Sequence, residues 1–208
     1  FFDAAATSER PRVLRAAVAA GKHIYTEKPV APSVQEGLEL LEQMRGRGLT
    51  HGCVEDKLFL PGMRKLAFLM RSGFFGRVIG FRLEFGWWVF DGEHVASQRP
   101  SWNYRSTGGG GLTLDMYPHW RYMIESILGP VARLVSANST AVPRRIDEVG
   151  RPFDVDVDDT ALNILDLQSG VTGTIQSSWA TRVRRDDLVT FQVDGTGGSA
   201  VATLHRCH

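Results

Sequence analysis

The chain has 208 residues, and its 24 Lys and Arg nearly balance its 23 Asp and Glu, for a net charge of +1. The basic residues are scattered, which argues against a nucleic-acid surface or a polybasic membrane patch, and no apolar run reaches the ~18 residues of a membrane-spanning helix. Cys53 and Cys207 are the only cysteines, so we expect no disulfide framework and a reducing compartment, the cytoplasm.

The first quarter of the chain alternates strand-like and helix-like segments. Ser8 is expected to cap the first helix, and Ser33 with Glu36 forms a capping box at the start of the second. Alternation of this kind predicts a parallel sheet covered by helices. The predicted strands are residues 1–7, 23–26 and 50–54, and the predicted helices are residues 8–21 and 33–46.

Two polar segments follow predicted strands in this part of the chain. Thr7 comes after the first strand, and Glu27-Lys28-Pro29 comes after the second. Ligands of parallel sheets bind beyond the carboxyl ends of the strands, so we expect these residues to face one crevice. On composition alone, a solvated surface lysine is the better interpretation of Lys28.

The pattern changes after about residue 57. A helix is predicted from Pro61 to Gly73, followed by β-branched and aromatic strand-like runs separated by glycine-rich turns. This pattern predicts an α+β part with a large open, mostly antiparallel sheet built largely from hairpins. We therefore divide the chain into residues 1–57 and 58–208, and interpret the charged segment 182–187 as a solvated turn or a subunit contact. The predicted strands are residues 78–88, 131–136, 160–167, 171–178 and 188–193.

A glycine run, Gly108–Gly111, precedes an apolar segment predicted to be a helix from Leu114 to Leu128. Glycines let a backbone approach a ligand closely, although a flexible loop is the alternative. In a helix, Asp115 and His119 share one face, where the carboxylate can orient the imidazole and stabilise its charged form. Their position near the helix start favours the neutral imidazole that a general base needs. Two such ligands without a third do not indicate a metal site.

The loop before the glycines is rich in aromatic and polar residues. Trp102, Asn103 and Arg105 suit a sugar-like ligand, through stacking on a ring face and hydrogen bonds to hydroxyl groups. Packing between the two parts of the chain is an equally weighted alternative. The loop is therefore a candidate substrate-binding segment.

Two motifs occur in a fixed order, Glu-Lys-Pro at 27–29 and a glycine run with Asp-x-x-x-His at 108–119. Together they closely resemble the Gfo/Idh/MocA family of NAD(P)-dependent oxidoreductases. The resemblance covers essentially the whole chain, including Ala-Thr-x-x-x-Pro at 6–11 and Gly-Lys-His at 21–23. It implies the C-terminal portion of a Rossmann NAD(P)-binding domain followed by an α+β domain that binds substrate. It also implies a homo-oligomer, a dimer or tetramer, formed through the open sheet.

The resemblance also implies roles for individual residues. Lys28 matches the lysine that contacts both the nicotinamide region and the reacting hydroxyl, and His119 matches the residue that transfers the proton. Asp115 matches the partner of that histidine. Thr7 and Glu27 fall, with Lys28, where the family lines the cofactor crevice.

Two further features bear on the implied chemistry. The glycine-rich dinucleotide fingerprint is expected to precede Phe1, so we expect a longer protein, and the residue that distinguishes NAD from NADP lies outside the sequence. Tyr122 stands where many family members carry an Asp, three residues after the histidine, which puts the orientation of the substrate in question.

The implied activity is an NAD(P)-dependent dehydrogenase that oxidises a secondary hydroxyl of a sugar, a cyclitol such as inositol, or a related polyol. Two alternatives stay open: an NAD-dependent glycosidase on the same fold, and a non-catalytic sugar or dinucleotide sensor. The presence of Lys28, Asp115 and His119 together argues against the sensor. It does not separate the dehydrogenase from the glycosidase.

Overall fold

The computed structural model describes residues 1–183 and 187–208. Its α-helices within these ranges are α1 (Arg10–Ala19), α2 (Val34–Gly46), α3 (Pro61–Arg71) and α4 (Leu112–Leu128). The strands are β1 (Phe2–Asp3), β2 (Ile24–Thr26), β3 (His51–Cys53), β4 (Val78–Gly86), β5 (Val131–Ser139), β6 (Arg144–Ile146), β7 (Pro152–Asp154), β8 (Thr160–Leu167), β9 (Thr172–Ser178), β10 (Val189–Gly195) and β11 (Ser199–Ala202).

The N-terminal part forms a three-stranded sheet in the order β1-β2-β3, and both strand pairs are parallel. Helices α1 and α2 pack on it through a small apolar core that includes the fully buried Leu14 and Leu40. The predicted parallel sheet is therefore confirmed. The Ser33 side chain accepts a hydrogen bond from the Glu36 amide at 3.2 Å, which confirms this half of the predicted capping box. The Glu36 carboxylate pairs with Arg15 at 2.7 Å. The expected Ser8 cap is wrong, because the helix begins at Arg10 and Glu9 occupies the cap position.

The larger sheet has six strands in the order β11-β10-β4-β9-β8-β5. Its neighbours pair antiparallel except β4 and β9, which are parallel, so the predicted large, mostly antiparallel sheet is confirmed. Helix α4 packs on one face, with the Trp120 ring 5.0 Å from that of Phe85. The face of this sheet turned away from α4 is called the open face below. The fold is a mixed α/β fold with a large mixed sheet.

Three short strands were not predicted, namely the hairpin β6–β7 and the edge strand β11. No helix in the described ranges is long and apolar enough to cross a lipid bilayer. The charged segment 182–187, predicted as a turn or subunit contact, lies partly outside the described residues. The first residue of this segment, Arg182, pairs with Asp91 and Glu93, and the last, Asp187, pairs with Arg206 at 3.1 Å.

Candidate active site

Lys28 and Asp115 join the two parts of the chain. Lys28 follows β2, at the carboxyl end of the parallel sheet, and its peptide bond to Pro29 is cis. Its Nζ donates to Asp115 Oδ1 at 2.6 Å and to the Asp115 carbonyl oxygen at 2.8 Å. The two side chains are only 15% and 14% exposed. The predicted lysine and the predicted aspartate therefore form a largely buried ion pair.

A buried network fixes the backbone around Lys28. The Asp3 carboxylate, at the end of β1, accepts hydrogen bonds from Arg10 Nε at 2.7 Å and from the Thr26 hydroxyl at 2.8 Å. Arg10 also donates to the carbonyl oxygen of Pro29 at 2.5 Å. Arg10 was not singled out from the sequence. An arginine in the first turn of a helix carries no local sign that it will be buried beneath the segment that holds Lys28.

Asp115 is held on its other side by Arg99, which the sequence analysis missed. Arg99 Nη1 lies 2.7 Å from Asp115 Oδ2, and the guanidinium carbon lies 5.2 Å from the Phe90 ring centre and 5.0 Å from that of Trp179. The contact has the distance of an ion pair but not the angle of a hydrogen bond. Oδ2 is buried without a hydrogen-bond partner among the described residues, so the Arg99 guanidinium is its close charged contact.

His119 is buried one turn further along α4 and is only 4% exposed. Its Nδ1 lies 2.7 Å from the Tyr122 hydroxyl and 3.7 Å from Asp56 Oδ1. The expectation that Asp115 orients this imidazole is therefore corrected: Tyr122 is the hydrogen-bond partner, while the Asp115 carboxylate turns to Lys28 and Arg99. Sharing a helix face brings Asp115 and His119 near each other, but other partners decide their contacts: Lys28 and Arg99 from elsewhere for Asp115, and Tyr122 of the same helix for His119.

The environment of His119 strongly favours its neutral form. Burial, followed by the charges of Lys28 and Lys57, lowers the pKa of His119 to about 3, although Asp56 and Asp115 act in the opposite direction. At neutral pH the imidazole is therefore uncharged. An uncharged, positioned imidazole is the form that accepts a proton as a general base.

This low pKa predicts a specific acid sensitivity. The pKa of His119 is about 3 in the folded chain and near 6.5 when unfolded, so between these values only the unfolded state binds this proton. Above pH 6.5 this group costs the fold no stability. As the pH falls from 6.5 toward 3, proton binding to the unfolded chain lowers the unfolding free energy by up to about 1.4 kcal/mol per pH unit. We expect the unfolding free energy of His119→Gln to fall less steeply than that of the wild type, measured by urea denaturation between these pH values. Parallel curves would contradict the assignment.

The glycine run packs against the chain itself rather than leaving room for a ligand, which corrects the expected close approach to a ligand. A Cβ on Gly109 would lie 2.9 Å from Thr7 Cγ2, and one on Gly110 would lie 2.4 Å from the Asn103 carbonyl oxygen. Gly109 also has a φ of 70°, a left-handed conformation that glycine adopts without strain. The run therefore lets Thr7, from the N-terminal part, lie directly against the start of α4.

The three residues predicted to bind substrate occupy different surroundings. Asn103 is buried, and its Oδ1 accepts a hydrogen bond from Arg99 Nη1 at 3.4 Å. Arg105 is exposed and stacks on Phe153, 4.5 Å from the ring centre. Trp102 is 39% exposed. Asn103 thus touches the site through Arg99, and the substrate roles of all three stay predictions.

A cavity of about 330 Å³ opens beside Lys28 and Tyr122, at the carboxyl ends of β2 and β3. Its volume is in the range of small-molecule sites. Among the described residues, no group of three or more His, Cys, Asp or Glu is placed to hold a metal ion. The cavity is lined by Lys28, Cys53, Val54, Glu55, Pro118, Arg121, Tyr122 and Glu125.

Comparison with known proteins gives concordant matches. A family model described as the GFO/IDH/MocA C-terminal domain matches residues 63–201. The D-xylose dehydrogenase of Paenarthrobacter nicotinovorans is 50% identical over 210 residues, which covers 99% of this chain and 54% of that protein. The levoglucosan dehydrogenase of Pseudarthrobacter phenanthrenivorans is 27% identical over 207 residues, covering 92% of this chain and 52% of that protein.

A solved structure gives the same result for the fold. A levoglucosan dehydrogenase in complex with NADH and L-sorbose superposes with a TM-score of 0.83 at 25% sequence identity. The superposition covers 96% of this chain and 53% of that one. The chain thus spans about half the length of the relatives that it matches.

Proposed function

The chain belongs to the Gfo/Idh/MocA family of oxidoreductases, and from that premise we propose that it forms part of an NAD(P)-dependent sugar dehydrogenase. Its substrate is a monosaccharide or a related polyol, and the reaction oxidises one carbinol hydroxyl. The 50% identity to a D-xylose dehydrogenase supports an aldose as the first substrate to test.

One observation carries the proposal: a buried, neutral imidazole lies one helical turn from Asp115, whose carboxylate pairs with Lys28, and Lys28 lines a cavity. His119 supplies the base, and Lys28 supplies a fixed positive charge that Asp115 holds in place at 2.6 Å. Oxidation of an alcohol requires both functions, because the hydroxyl proton must leave as the hydride departs and negative charge develops on the oxygen.

The donors present fit a polyol and a nicotinamide dinucleotide. Among the described residues, two acceptors engage the Lys28 ammonium, which leaves its third N–H for a substrate oxygen. Asp115 Oδ1 accepts from Lys28 and Oδ2 lies against Arg99, so the carboxylate holds both cations in place. When bound, the dinucleotide supplies the hydride acceptor. The cavity beyond β2 and β3, which Lys28 lines, lies where parallel sheets bind nucleotides. We propose that Thr7 and Glu27, which also follow strands of this sheet, bind the dinucleotide together with Lys28.

In this mechanism the protein positions the hydroxyl and manages its proton. Lys28 donates a hydrogen bond to the reacting oxygen and stabilises the charge that develops there. His119 accepts the hydroxyl proton on its ring. Asp115 fixes the Lys28 ammonium, and Arg99 in turn fixes Asp115. The two aromatic rings against Arg99 limit its movement.

The test is a substrate screen of the complete protein that contains this chain. D-xylose, levoglucosan, myo-inositol and D-glucose are each supplied with NAD or with NADP, and reduced cofactor is followed by its absorbance. Steady accumulation with a sugar supports the dehydrogenase and shows which dinucleotide is used. Release of sugar from glycosides without net cofactor reduction would instead support the glycosidase.

We further propose that the protein is a homo-oligomer, a dimer or tetramer, that associates through the open face. Three large apolar side chains cluster there on adjacent strands β5 and β8: Val135, Leu162 and Ile164 are 70%, 50% and 56% exposed. Contiguous apolar patches of this kind are typical of interaction surfaces.

A charge placed in this patch is expected to dissociate the oligomer. In sedimentation velocity, Ile164→Lys should shift the protein from a dimer or tetramer to a monomer, because an ammonium would be buried in an apolar interface. The matched control is Val149→Lys, a 71% exposed apolar residue outside the large sheet, which should sediment as the wild type. A wild type that sediments as a monomer refutes the proposal.

The proposed compartment is the cytoplasm. Cys53 and Cys207 are both free thiols, which fits a reducing environment. Fractionation of the source cells with antibody against the chain tests this placement.

A further inference from the structure

Tyr122 connects the buried His119 to the protein surface. Its hydroxyl lies 2.7 Å from His119 Nδ1, 3.1 Å from the Lys57 amide nitrogen and 3.3 Å from Asp56 Oδ1. The Asp56 side chain is 49% exposed, whereas that of His119 is 6% exposed. The three side chains therefore form a continuous series of hydrogen-bonding groups from the interior to water.

The three contacts of the Tyr122 hydroxyl determine the tautomer of His119. A phenol has one hydrogen to donate and two lone pairs to accept with. The Lys57 amide can only donate, so it occupies one lone pair. Burial raises the pKa of Asp56, but the hydrogen bond and charge of Lys57 outweigh burial and hold that pKa below its usual value. This carboxylate is therefore ionised and can only accept. The phenol hydrogen therefore goes to Asp56.

One lone pair of the phenol then remains, facing His119 Nδ1 at 2.7 Å. A favourable contact at that distance requires a hydrogen on Nδ1. Nε2 is consequently the unprotonated nitrogen. In the opposite arrangement, the phenol hydrogen would point to Nδ1, and an anionic Asp56 oxygen would face a lone pair at 3.3 Å.

A proton captured by His119 cannot stay on the ring. Burial and the Lys28 and Lys57 ammonium groups lower the pKa of His119 to about 3, even with Asp56 and Asp115 opposing them. The imidazolium formed in each turnover therefore has to lose a proton quickly.

We propose that Tyr122 and Asp56 hold His119 with its hydrogen on Nδ1 and conduct a proton from Nδ1 to solvent after Nε2 has taken one from the substrate. This inference rests on the proposed dehydrogenase function. Within it, Tyr122 and Asp56 are positioning and proton-conducting residues that do not touch the substrate.

The proton transfers balance. The substrate O–H bond breaks and an N–H bond forms at Nε2; a bound oxidised nicotinamide dinucleotide would accept the hydrogen and electron pair of the C–H bond. The Nδ1–H bond then breaks as Tyr122 Oη gains that proton and passes its own to Asp56 Oδ1. Burial, as the first cause, raises the pKa of Tyr122, so the phenol exchanges one proton for another without ionising. Asp56 releases its proton to water, which leaves His119 with its hydrogen on Nε2. Once the product has left, Nε2 gives this proton to the water that replaces the product, and Nδ1 regains one through Asp56 and Tyr122 before the next turnover.

The tautomer is tested without any turnover. Nitrogen-15 NMR of selectively histidine-labelled complete protein, without cofactor, should show His119 with Nδ1 protonated and Nε2 unprotonated, identified by its loss in His119→Gln. Asp56→Asn should weaken that preference. A wild-type His119 protonated on Nε2 would overturn the inference, whatever the enzyme does with sugars.

The conduction is tested by kinetics on the sugar found active in the screen. Tyr122→Phe should lower kcat by at least ~10-fold with little change in KM, within the range known for positioned proton transfer. Small buffers such as imidazole or formate should restore part of the rate in Asp56→Asn, because they replace the surface end of the path. The matched control is Tyr117→Phe on the same helix, whose hydroxyl contacts Asn163 and not His119.

These outcomes separate the two hypotheses. Unchanged kcat and an unchanged solvent isotope effect in folded Tyr122→Phe would overturn the conduction of protons. If the wild type reduces no cofactor with any sugar but shows the Nδ1-protonated tautomer, the proposed function fails while the tautomer assignment is supported. Near-native melting temperatures of the variants establish that they are folded.

Discussion

His119→Ala in the complete protein is expected to lower kcat for sugar oxidation by ~10²–10⁴, the usual contribution of a positioned general base. The affinity for the dinucleotide should change little, because the proposed role of the imidazole is toward the substrate hydroxyl. Since the pKa of His119 is about 3, the acid-side loss of kcat/KM that it causes is expected near pH 3 rather than near 6.5.

The control for this experiment is His94→Ala. The His94 side chain is 79% exposed, so its removal should leave kcat unchanged. Asp115→Asn should reduce kcat less than His119→Ala does, because the base remains while Lys28 loses its ionic partner. A fully active His119→Ala enzyme would eliminate the proposed mechanism and leave only the fold.

Arg145→Met is expected to lower the free energy of unfolding by ~3–5 kcal/mol, because it leaves the charge of Asp159 buried without its partner. The two side chains are 1% and 0% exposed, and Arg145 Nη2 lies 2.8 Å from Asp159 Oδ2. Arg145 also donates to the Phe90 carbonyl oxygen at 2.6 Å, in the segment on which Arg99 stacks. Equilibrium denaturation in urea measures the change.

Arg133→Met provides the matched comparison. Arg133 pairs with Asp166 at 2.9 Å, but its side chain is 81% exposed, so its loss should cost less than about 1 kcal/mol. Equal effects of the two substitutions would show that burial does not determine the strength of these pairs. A loss of sugar affinity in folded Arg145→Met would indicate that the Phe90 segment positions Arg99.

Local features of this fold were predictable from the sequence. The N-cap at Ser33 was correct because its hydrogen bond spans only three residues, whereas the Glu36 carboxylate binds Arg15 from another helix. The strand at 160–167 was predicted with its observed bounds, because its alternating residues face the buried and open sides of the sheet in turn. The hairpin β6–β7 was missed, since three-residue strands give too short a pattern and pairing depends on distant contacts.

The site was predictable as a set of residues but not as a set of contacts. Lys28 and Asp115 were both named, yet their ion pair spans 87 residues and only the fold brings them together. The contact between Tyr122 and Asp56 spans 66 residues in the same way. Arg99 and Arg105 lie in one loop, and no local pattern shows which of them reaches Asp115.

The contacts of the glycine run also show which positions near the site tolerate substitution in protein engineering. Substitution libraries at Gly109 and Gly110 would mostly return damaged variants, because any side chain there collides with Thr7 or with the Asn103 carbonyl. Trp102 lies beside the same run with 39% of its surface open to solvent, so its ring can be exchanged without that collision. A library that tests the predicted substrate role of Trp102 should therefore randomise position 102 and keep the adjoining glycines constant.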